Sequence, residues 1–245
     1  MAFYDQSDFD VRCEWGLKGL EALAPSSDAI VIIDVLSFST AVDVAVARRA
    51  RVFPYGGESE SACAYAASLG AELAEPKRTL DRWSLSPASL ASLPEGARLV
   101  LPSPNGSTLS LAGGNLPTFC GSLLNATAIA RAAQRIGRRT LVVAAGERWP
   151  DGTMRPAIED WIGAGAIVHY MQGTCSPEAQ SAQAAFLNAK DALTGILRQC
   201  SSGRELIERG FGIDVEYAAA LNTSEAVPLL RDGYYSDHRP SSSVD

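Results

Sequence analysis

The sequence predicts an α/β protein in which helices cover a central β-sheet. The chain has 245 residues, a length that fits one large α/β domain or two small ones sharing a core. Hydrophobic residues make up 47% and charged residues 20%, a balance typical of a folded globular protein. Short runs rich in Val, Ile and Leu alternate with Ala-rich stretches, which is the pattern of a sheet built from successive βα units.

The elements follow in order along the chain. Apolar runs of strand length predict strands at residues 29–36, 51–55, 97–103, 117–123, 140–146 and 227–235. Helical stretches between and after them predict helices at residues 39–50, 59–69, 107–111, 126–136, 156–170 and 178–208. No interdomain linker is evident, so residues 1–236 are interpreted as a single domain and residues 237–245 as a frayed tail.

Composition excludes several classes of function. The net charge of −7 argues against nucleic acid as a partner, and no apolar run approaches the roughly 20 residues of a membrane helix. The N-terminus lacks the pattern of a signal peptide, so a cytoplasmic protein is expected. The five cysteines form no C-x-x-C pair, which indicates reduced thiols, and two histidines are too few for a multi-histidine zinc site.

Polar side chains cluster where four predicted strands end. These positions are Asp34 with Ser37, Ser39 and Thr40; Ser103 with Asn105, Gly106, Ser107 and Thr108; Ser122 with Asn125; and Glu147 with Arg148, followed by Glu159 and Asp160. Ligands of open α/β sheets bind outside the carboxyl ends of strands. Backbone N–H groups at helix N-termini suit an oxyanion, and carboxylate oxygens suit a hard cation. The pattern therefore predicts a site for an anion and a cation.

Each of these residues also has a structural interpretation. Ser39, Ser107 and Asn125 are good helix N-caps. Glu159 and Asp160 suit the first turn of any helix because the helix dipole favours acidic side chains there. Asp34 is different: it follows a fully apolar strand, where a carboxylate is costly unless it is paired or bound to a metal. The chain has no P-loop and no G-x-S-x-G nucleophile elbow.

Taken together in this order, the segments resemble the 2-phosphosulfolactate phosphatase family. The matching segments are IDVLSFSTAV at residues 33–42, PNGSTLSLA at 104–112, GSLLNATAIA at 121–130, AGERWPDGTMRPAIEDWIGAGAIV at 145–168 and SSGRELIERGFGIDVEYAAALNTSEAVPL at 201–229. The resemblance covers nearly the whole chain. It implies a three-layer α/β/α sandwich with a mostly parallel or mixed sheet. It also implies magnesium-dependent hydrolysis of the phosphate ester of sulfolactate, a step toward coenzyme M.

The resemblance also implies site residues. Asp34, Glu159 and Asp160 are expected to be catalytic, and Asp34 with one or both of the other two is expected to hold Mg²⁺. The expected substrate-binding residues are Ser37, Ser39, Thr40, Asn105, Gly106, Ser107, Thr108, Asn125 and Arg148. The acid end of the substrate would face Arg148, Arg155, Lys77 or Arg78. Ser37 is a departure, because the family commonly has arginine there, and its loss removes a bidentate partner for an anion.

The sequence leaves four questions open. The substrate is either 2-phosphosulfolactate or another small phosphoester, because Ser37 alters the expected anion site. A non-catalytic anion-binding module on the same scaffold is the alternative from another class of function. Attack on phosphorus comes either directly from water or through a phosphorylated Asp34. A homo-oligomer is a possible assembly, since a helix rich in Gly and Ala permits close packing within the fold or between subunits.

Overall fold

A mixed nine-stranded β-sheet forms the centre of the protein. The computed structural model describes residues 3–57 and 59–239, apart from the side chains of residues 59 and 60. The sheet strands are β1 (Val11–Trp15), β2 (Ala29–Ile33), β3 (Arg51–Tyr55), β4 (Glu72–Leu73), β5 (Arg98–Pro102), β6 (Thr118–Gly121), β7 (Thr140–Ala144), β10 (Pro228–Arg231) and β11 (Tyr234–Asp237). Strands β8 (Glu147–Arg148) and β9 (Met154–Arg155) form a separate small hairpin.

The sheet consists of two parallel groups joined by a hairpin. The strand order is β1-β7-β2-β6-β10-β11-β3-β5-β4. Strands β1, β7, β2 and β6 are parallel to one another, and so are β3, β5 and β4. The β10–β11 hairpin lies antiparallel to its neighbour on each side. The sheet therefore contains both parallel and antiparallel strand pairs. Of the two expected types, mostly parallel or mixed, it is mixed.

Helices cover both faces of the sheet. They are α1 (Gly16–Leu23), α2 (Phe38–Ala47), α3 (Ser59–Leu69), α4 (Pro87–Leu90), α5 (Gly106–Ala112), α6 (Ala126–Ile136), α7 (Ile158–His169), α8 (Pro177–Ala189), α9 (Leu193–Gln199), α10 (Ser201–Glu208) and α11 (Gly212–Ala218). In β2, Ile30 and Ile32 pack with α1 and α5, whereas Val31 and Ile33 pack with α6, α7 and α8. Alternate side chains of a strand point to opposite faces, so this packing confirms the three-layer sandwich.

Most predicted elements are confirmed, with ends that differ by a few residues. The predicted strand at 227–235 is instead a hairpin, because Asp232 and Gly233 both adopt positive φ, the conformation of a tight two-residue turn. The predicted helix at 178–208 divides into α8, α9 and α10. A Cβ on Gly203 would clash with the carbonyl of Leu197, so this glycine lets α10 turn back closely onto α9.

The N-terminal part of the sheet was not predicted. Strand β1 is an edge strand in which charged residues alternate with apolar ones, so it lacks the continuous apolar run from which the other strands are predicted. Arg12 is fully buried and donates hydrogen bonds to Ser26 and Ser27, which offsets the cost of burying its charge. At the other end, Asp237 belongs to β11, so the predicted tail at 237–245 begins inside a strand; residues 240–245 lie outside the described residues. Within the described chain, no helix has the length and apolar character needed to span a membrane.

Candidate active site

Asp34 lies at the end of β2, in the turn that leads into α2. Its side chain is only 7% exposed. Carboxylate oxygen Oδ1 accepts a hydrogen bond from the N–H of Phe38 at 3.2 Å, and Oδ2 accepts one from the N–H of Gly106 at 3.0 Å. Each carboxylate oxygen has about two acceptor sites, so one on each oxygen remains for another group. Asp34 is therefore fixed in orientation and still able to bind a ligand.

Gly106 brings the turn after β5 against the end of β2. A Cβ at this position would clash with the ring of Phe38, so only glycine allows the two segments to approach. The Gly106 N–H also contacts Ser103 Oγ at 3.2 Å, which holds the turn in place. The ends of β2 and β5 are thus close together, and a backbone N–H after β5 contacts the Asp34 carboxylate after β2.

Asp160 connects two other segments of the site. It lies in the first turn of α7 and is 3% exposed. Its Oδ1 accepts the N–H of Val35 at 2.8 Å, and its Oδ2 accepts the N–H of Gly146 at 2.9 Å. Asp160 therefore ties the turn after β2 to the turn after β7. The neighbouring Glu159 is also buried, at 2% exposure.

Glu147 is a further carboxylate that the sequence reasoning did not choose as a site residue. It follows Gly146 after β7, and its Oε2 accepts a hydrogen bond from Asn105 Nδ2 at 3.1 Å. Its position at the end of a strand indicates a site residue, but at this strand end only Arg148 is predicted to bind substrate. Glu147 approaches Asp34 closely enough for its charge to affect that residue.

Three of the four carboxylates, those of Asp34, Glu147 and Asp160, have raised pKa values. Burial, followed by the charge of Glu147, raises the pKa of Asp34 to about 7. Burial and the charges of Asp34 and Glu159 raise the pKa of Asp160, and burial is the largest cause of the raised pKa of Glu147. No lysine or arginine within the described chain forms a salt bridge with any of the four. The cluster is therefore a concentration of negative charge that a cation would relieve.

The oxygen atoms of these carboxylates are of the chemical type that binds Mg²⁺. Carboxylate oxygens are its preferred protein ligands, and one or two of them suffice when substrate oxygens and waters complete the octahedron. In the parts of the chain that the structure describes, no three His, Cys, Asp or Glu side chains are already arranged as a complete ligand set. A cation here would therefore take one or two of these carboxylates.

Four hydroxyls that were expected to bind substrate donate to backbone carbonyls. Ser39 Oγ donates to Asp34 O and Thr40 Oγ1 to Val35 O, each at 2.8 Å. Ser107 Oγ donates to Leu101 O at 3.0 Å, and Thr108 Oγ1 to Pro104 O at 2.9 Å. In this structure these hydroxyls stabilise the turns around Asp34, and their contact with substrate stays a prediction.

Asn125 is fully buried behind the end of β6. Its Oδ1 accepts the N–H of Ser122 at 2.8 Å, and its Nδ2 donates to Cys120 O and Ala226 O at 3.4 and 3.3 Å. The amide thus connects the β6 turn to the segment before β10. Its role in substrate binding stays a prediction.

Asp43, on α2, is a further buried carboxylate, and its side chain interacts with that of Asn125. It is 1% exposed, its Oδ1 accepts a hydrogen bond from Ser224 Oγ at 3.0 Å, and burial raises its pKa to about 7. A folded pKa above the unfolded value favours the protonated folded state. That stabilisation is complete below the unfolded pKa of about 3.9 and is lost as the pH rises through the folded pKa.

Asp43→Asn should therefore remove part of the pH dependence of stability. Between about pH 5 and about pH 8.5 the wild type should lose roughly 2–3 kcal/mol of unfolding free energy that the variant retains. Urea unfolding of both proteins at the two pH values measures this difference. Parallel pH dependence in the two proteins would show that Asp43 does not titrate in this range.

The two remaining predicted substrate-binding residues, Ser37 and Arg148, differ in exposure. Ser37 immediately precedes α2, is 2% exposed, and accepts a hydrogen bond from Arg78. Arg148 is exposed and donates to Gly152 O and Pro104 O, each at 3.3 Å. A cavity of about 520 Å³ adjoins Asn105 and Glu147 and is bounded in part by Trp15, Lys18, Leu109, Arg148 and Met154.

Comparison with known proteins identifies the family of the chain. The sequence profile of the 2-phosphosulpholactate phosphatase family matches residues 20–233. A probable 2-phosphosulfolactate phosphatase of Carboxydothermus hydrogenoformans is 30% identical over 209 residues, which cover 82% of this chain and 85% of the relative. A protein of the same description from Gloeobacter violaceus is 36% identical over 72 residues, or 29% of this chain and 30% of the relative. The chain therefore belongs to the 2-phosphosulfolactate phosphatase family and is, by that membership, a phosphoric monoester hydrolase.

Proposed function

We propose that this protein is a Mg²⁺-dependent phosphatase that hydrolyses a small phosphorylated organic acid, with 2-phosphosulfolactate as the first candidate substrate. The observation that carries the proposal is the buried Asp34 carboxylate, fixed by two backbone N–H groups beside Glu147, Glu159 and Asp160. A pure anion-binding module gains nothing from such a cluster, because its charge repels an anion. A cation between the cluster and a phosphate group resolves that conflict.

The residues that would hold the cation are Asp34 together with one or both of Glu159 and Asp160, and Glu147 joins them as a candidate. Asp160 already accepts two backbone N–H groups, so it has fewer free acceptor sites than Glu159. When bound, Mg²⁺ supplies Lewis-acid polarisation of the phosphoryl group. The protein's own part is to fix the carboxylates and to exclude bulk water from them.

Backbone N–H groups beside Asp34 are suited to bind phosphoryl oxygens. In the described part of the chain, the N–H groups of Leu36 and Ser37 make no hydrogen bond, although both lie in the same turn as Asp34. They precede α2, whose N-terminus carries a partial positive charge. Donors fixed in advance stabilise the charge of a phosphoryl transition state without reorganising.

Asp34 would act either as the nucleophile or as the group that orients an attacking water. Labelled substrate under single-turnover conditions separates the two routes, since only the first leaves phosphate on the protein. We place the reaction in the cytoplasm because all five cysteines are free thiols, as in a reducing compartment.

A phosphoester with an apolar extension is the second candidate substrate. The cavity beside Asn105 and Glu147 measures about 520 Å³ and carries Trp15, Leu109 and Met154 on its walls. This volume exceeds what a three-carbon acid fills, since ligand pockets of this size suit drug-sized molecules. The same catalytic cluster would then act on a longer substrate.

Phosphate release from a panel of phosphoesters tests the proposal. The panel contains phosphosulfolactate, phospholactate, phosphoglycolate and p-nitrophenyl phosphate, each assayed with Mg²⁺ and with EDTA. We expect release that requires Mg²⁺, with the highest kcat/KM for phosphosulfolactate. A preference for p-nitrophenyl phosphate would favour the second candidate. No release from any compound by folded protein with Mg²⁺ would contradict the phosphatase proposal and favour an anion-binding module.

A further inference from the structure

A nearly buried arginine lies beside the turn that carries Asp34. Arg78 belongs to the irregular segment between β4 and α4, and its side chain is only 9% exposed. Its Nη2 donates to Ser37 Oγ at 2.9 Å, and the guanidinium carbon lies 5.8 Å from the centre of the Phe211 ring. The guanidinium therefore reaches the start of α2, although 41 residues separate Arg78 from Ser37.

Asp214 fixes the orientation of this arginine. Its Oδ2 accepts a hydrogen bond from Arg78 Nη1 at 2.6 Å, and its side chain is fully buried. The other oxygen, Oδ1, accepts from Ser86 Oγ at 2.6 Å and from the N–H of Ala88 at 3.2 Å. The carboxylate is thus held from two directions, and the guanidinium that it holds has little freedom to move.

Stability alone does not account for this pair. Burying two charges costs several kcal/mol of desolvation, and apolar residues of similar volume are often as stabilising. A guanidinium has five N–H donors. Within the described chain, that of Arg78 makes two hydrogen bonds, one to Asp214 and one to Ser37. A fixed, incompletely used guanidinium is the usual means of recognising a carboxylate or a similar oxyanion.

The position of Arg78 matches the second end of a phosphorylated acid. Ser37 immediately precedes Phe38, whose N–H donates to Asp34 Oδ1, so one short turn separates the guanidinium from the proposed phosphoryl site. We infer that Arg78 binds the second anionic group of the substrate, a carboxylate or a sulfonate, and that Asp214 is its positioning residue. The inference rests on the proposed function, since it assigns the other end of the same substrate.

The test compares substrates that differ in the second anionic group. Phosphosulfolactate carries a carboxylate and a sulfonate, phospholactate carries the carboxylate alone, and p-nitrophenyl phosphate carries neither. In Arg78→Gln we expect kcat/KM for the acid substrates to fall about 10- to 100-fold, mainly through KM, as expected for losing a charged hydrogen bond. Activity on p-nitrophenyl phosphate should stay within about threefold. Loss on both acids indicates the carboxylate; loss on phosphosulfolactate alone indicates the sulfonate.

Two further variants keep the test free of folding effects. Arg78→Gln leaves Asp214 buried without its partner, so the double variant Arg78→Gln with Asp214→Asn removes both charges together. Arg82→Gln is the matched control, because Arg82 lies in the same segment and pairs with Glu75 at the surface. The double variant should repeat the selective loss, and the control should match the wild type on every substrate.

Equal losses on all three substrates, or no loss on the acids, would overturn the assignment of Arg78 while leaving the phosphatase proposal intact. If the wild type hydrolyses nothing, the proposed function fails, and calorimetric titration with sulfolactate and with inorganic phosphate decides the role of Arg78 without turnover. Weaker sulfolactate binding in the double variant, with phosphate binding retained, supports the assignment. Unchanged sulfolactate binding overturns it.

Discussion

Asp34→Asn should reduce phosphate release by about a thousandfold or more in protein that keeps its fold. The amide has nearly the volume of the carboxylate, and its oxygen still accepts one of the N–H groups of Phe38 and Gly106. It cannot attack phosphorus, and it is a much weaker ligand for Mg²⁺. The measurement is kcat on the best substrate of the panel, with circular dichroism to confirm the fold.

Asp43→Asn is the matched control for this experiment. Asp43 is also buried and also has a pKa raised to about 7, but it is not one of the carboxylates that act on Asp34. Its amide variant should keep kcat within about threefold of the wild type, in the usual range for a change outside the chemistry. Mg²⁺ should raise the melting temperature of the wild type and of Asp43→Asn, but not of Asp34→Asn. Retention of a tenth or more of the activity by Asp34→Asn would exclude a central role for this carboxylate.

Asp160→Asn should lower the free energy of unfolding by about 2–4 kcal/mol. Asp160 accepts the buried N–H groups of Val35 and Gly146 on its two oxygens. An amide can accept only one of them, and its NH₂ group would face the other donor. Urea unfolding at neutral pH without added metal measures the loss.

Glu159→Gln provides the comparison, since Glu159 is as buried but accepts no backbone N–H within the described chain. Its unfolding free energy should change by less than about 1 kcal/mol, while its phosphate release should fall. Similar stabilities for the two amide variants would show that Asp160 does not brace the turns after β2 and β7.

The parts of the fold that the sequence predicts are those with continuous apolar runs. Strands β2, β5 and β7 are buried along their whole length or nearly so, and the only polar residues in them, Arg98 and Thr140, stand at the first position of β5 and β7. Strand β1 escapes prediction because the partners of Arg12 come from residues 26 and 27, beyond the helix that follows. A local sequence pattern cannot show that a charged side chain is buried and hydrogen-bonded through tertiary contacts.

The same distinction applies to the site. Asp34 was predictable because a carboxylate directly after an apolar strand needs a special reason to be there. Glu147 also follows a strand, but its hydrogen bond with Asn105, which is 42 residues away, is a tertiary contact that the sequence does not show. The family resemblance implies that Ser37 removes a guanidinium from the site. In the structure the Arg78 guanidinium donates a hydrogen bond to that same serine.

Crystals grown with Mn²⁺ and orthovanadate test the central claim, that the carboxylate cluster at Asp34 is a cation-assisted phosphoryl site. The anomalous scattering of Mn²⁺ locates the cation directly, and vanadate stands in for the phosphoryl group. We expect a Mn²⁺ peak about 2.0–2.3 Å from an Asp34 carboxylate oxygen, shared with Glu147, Glu159 or Asp160. Vanadate should lie at the N–H groups of Leu36 and Ser37. Vanadate bound elsewhere, or Mn²⁺ absent from Asp34 at saturating concentration, would contradict the account.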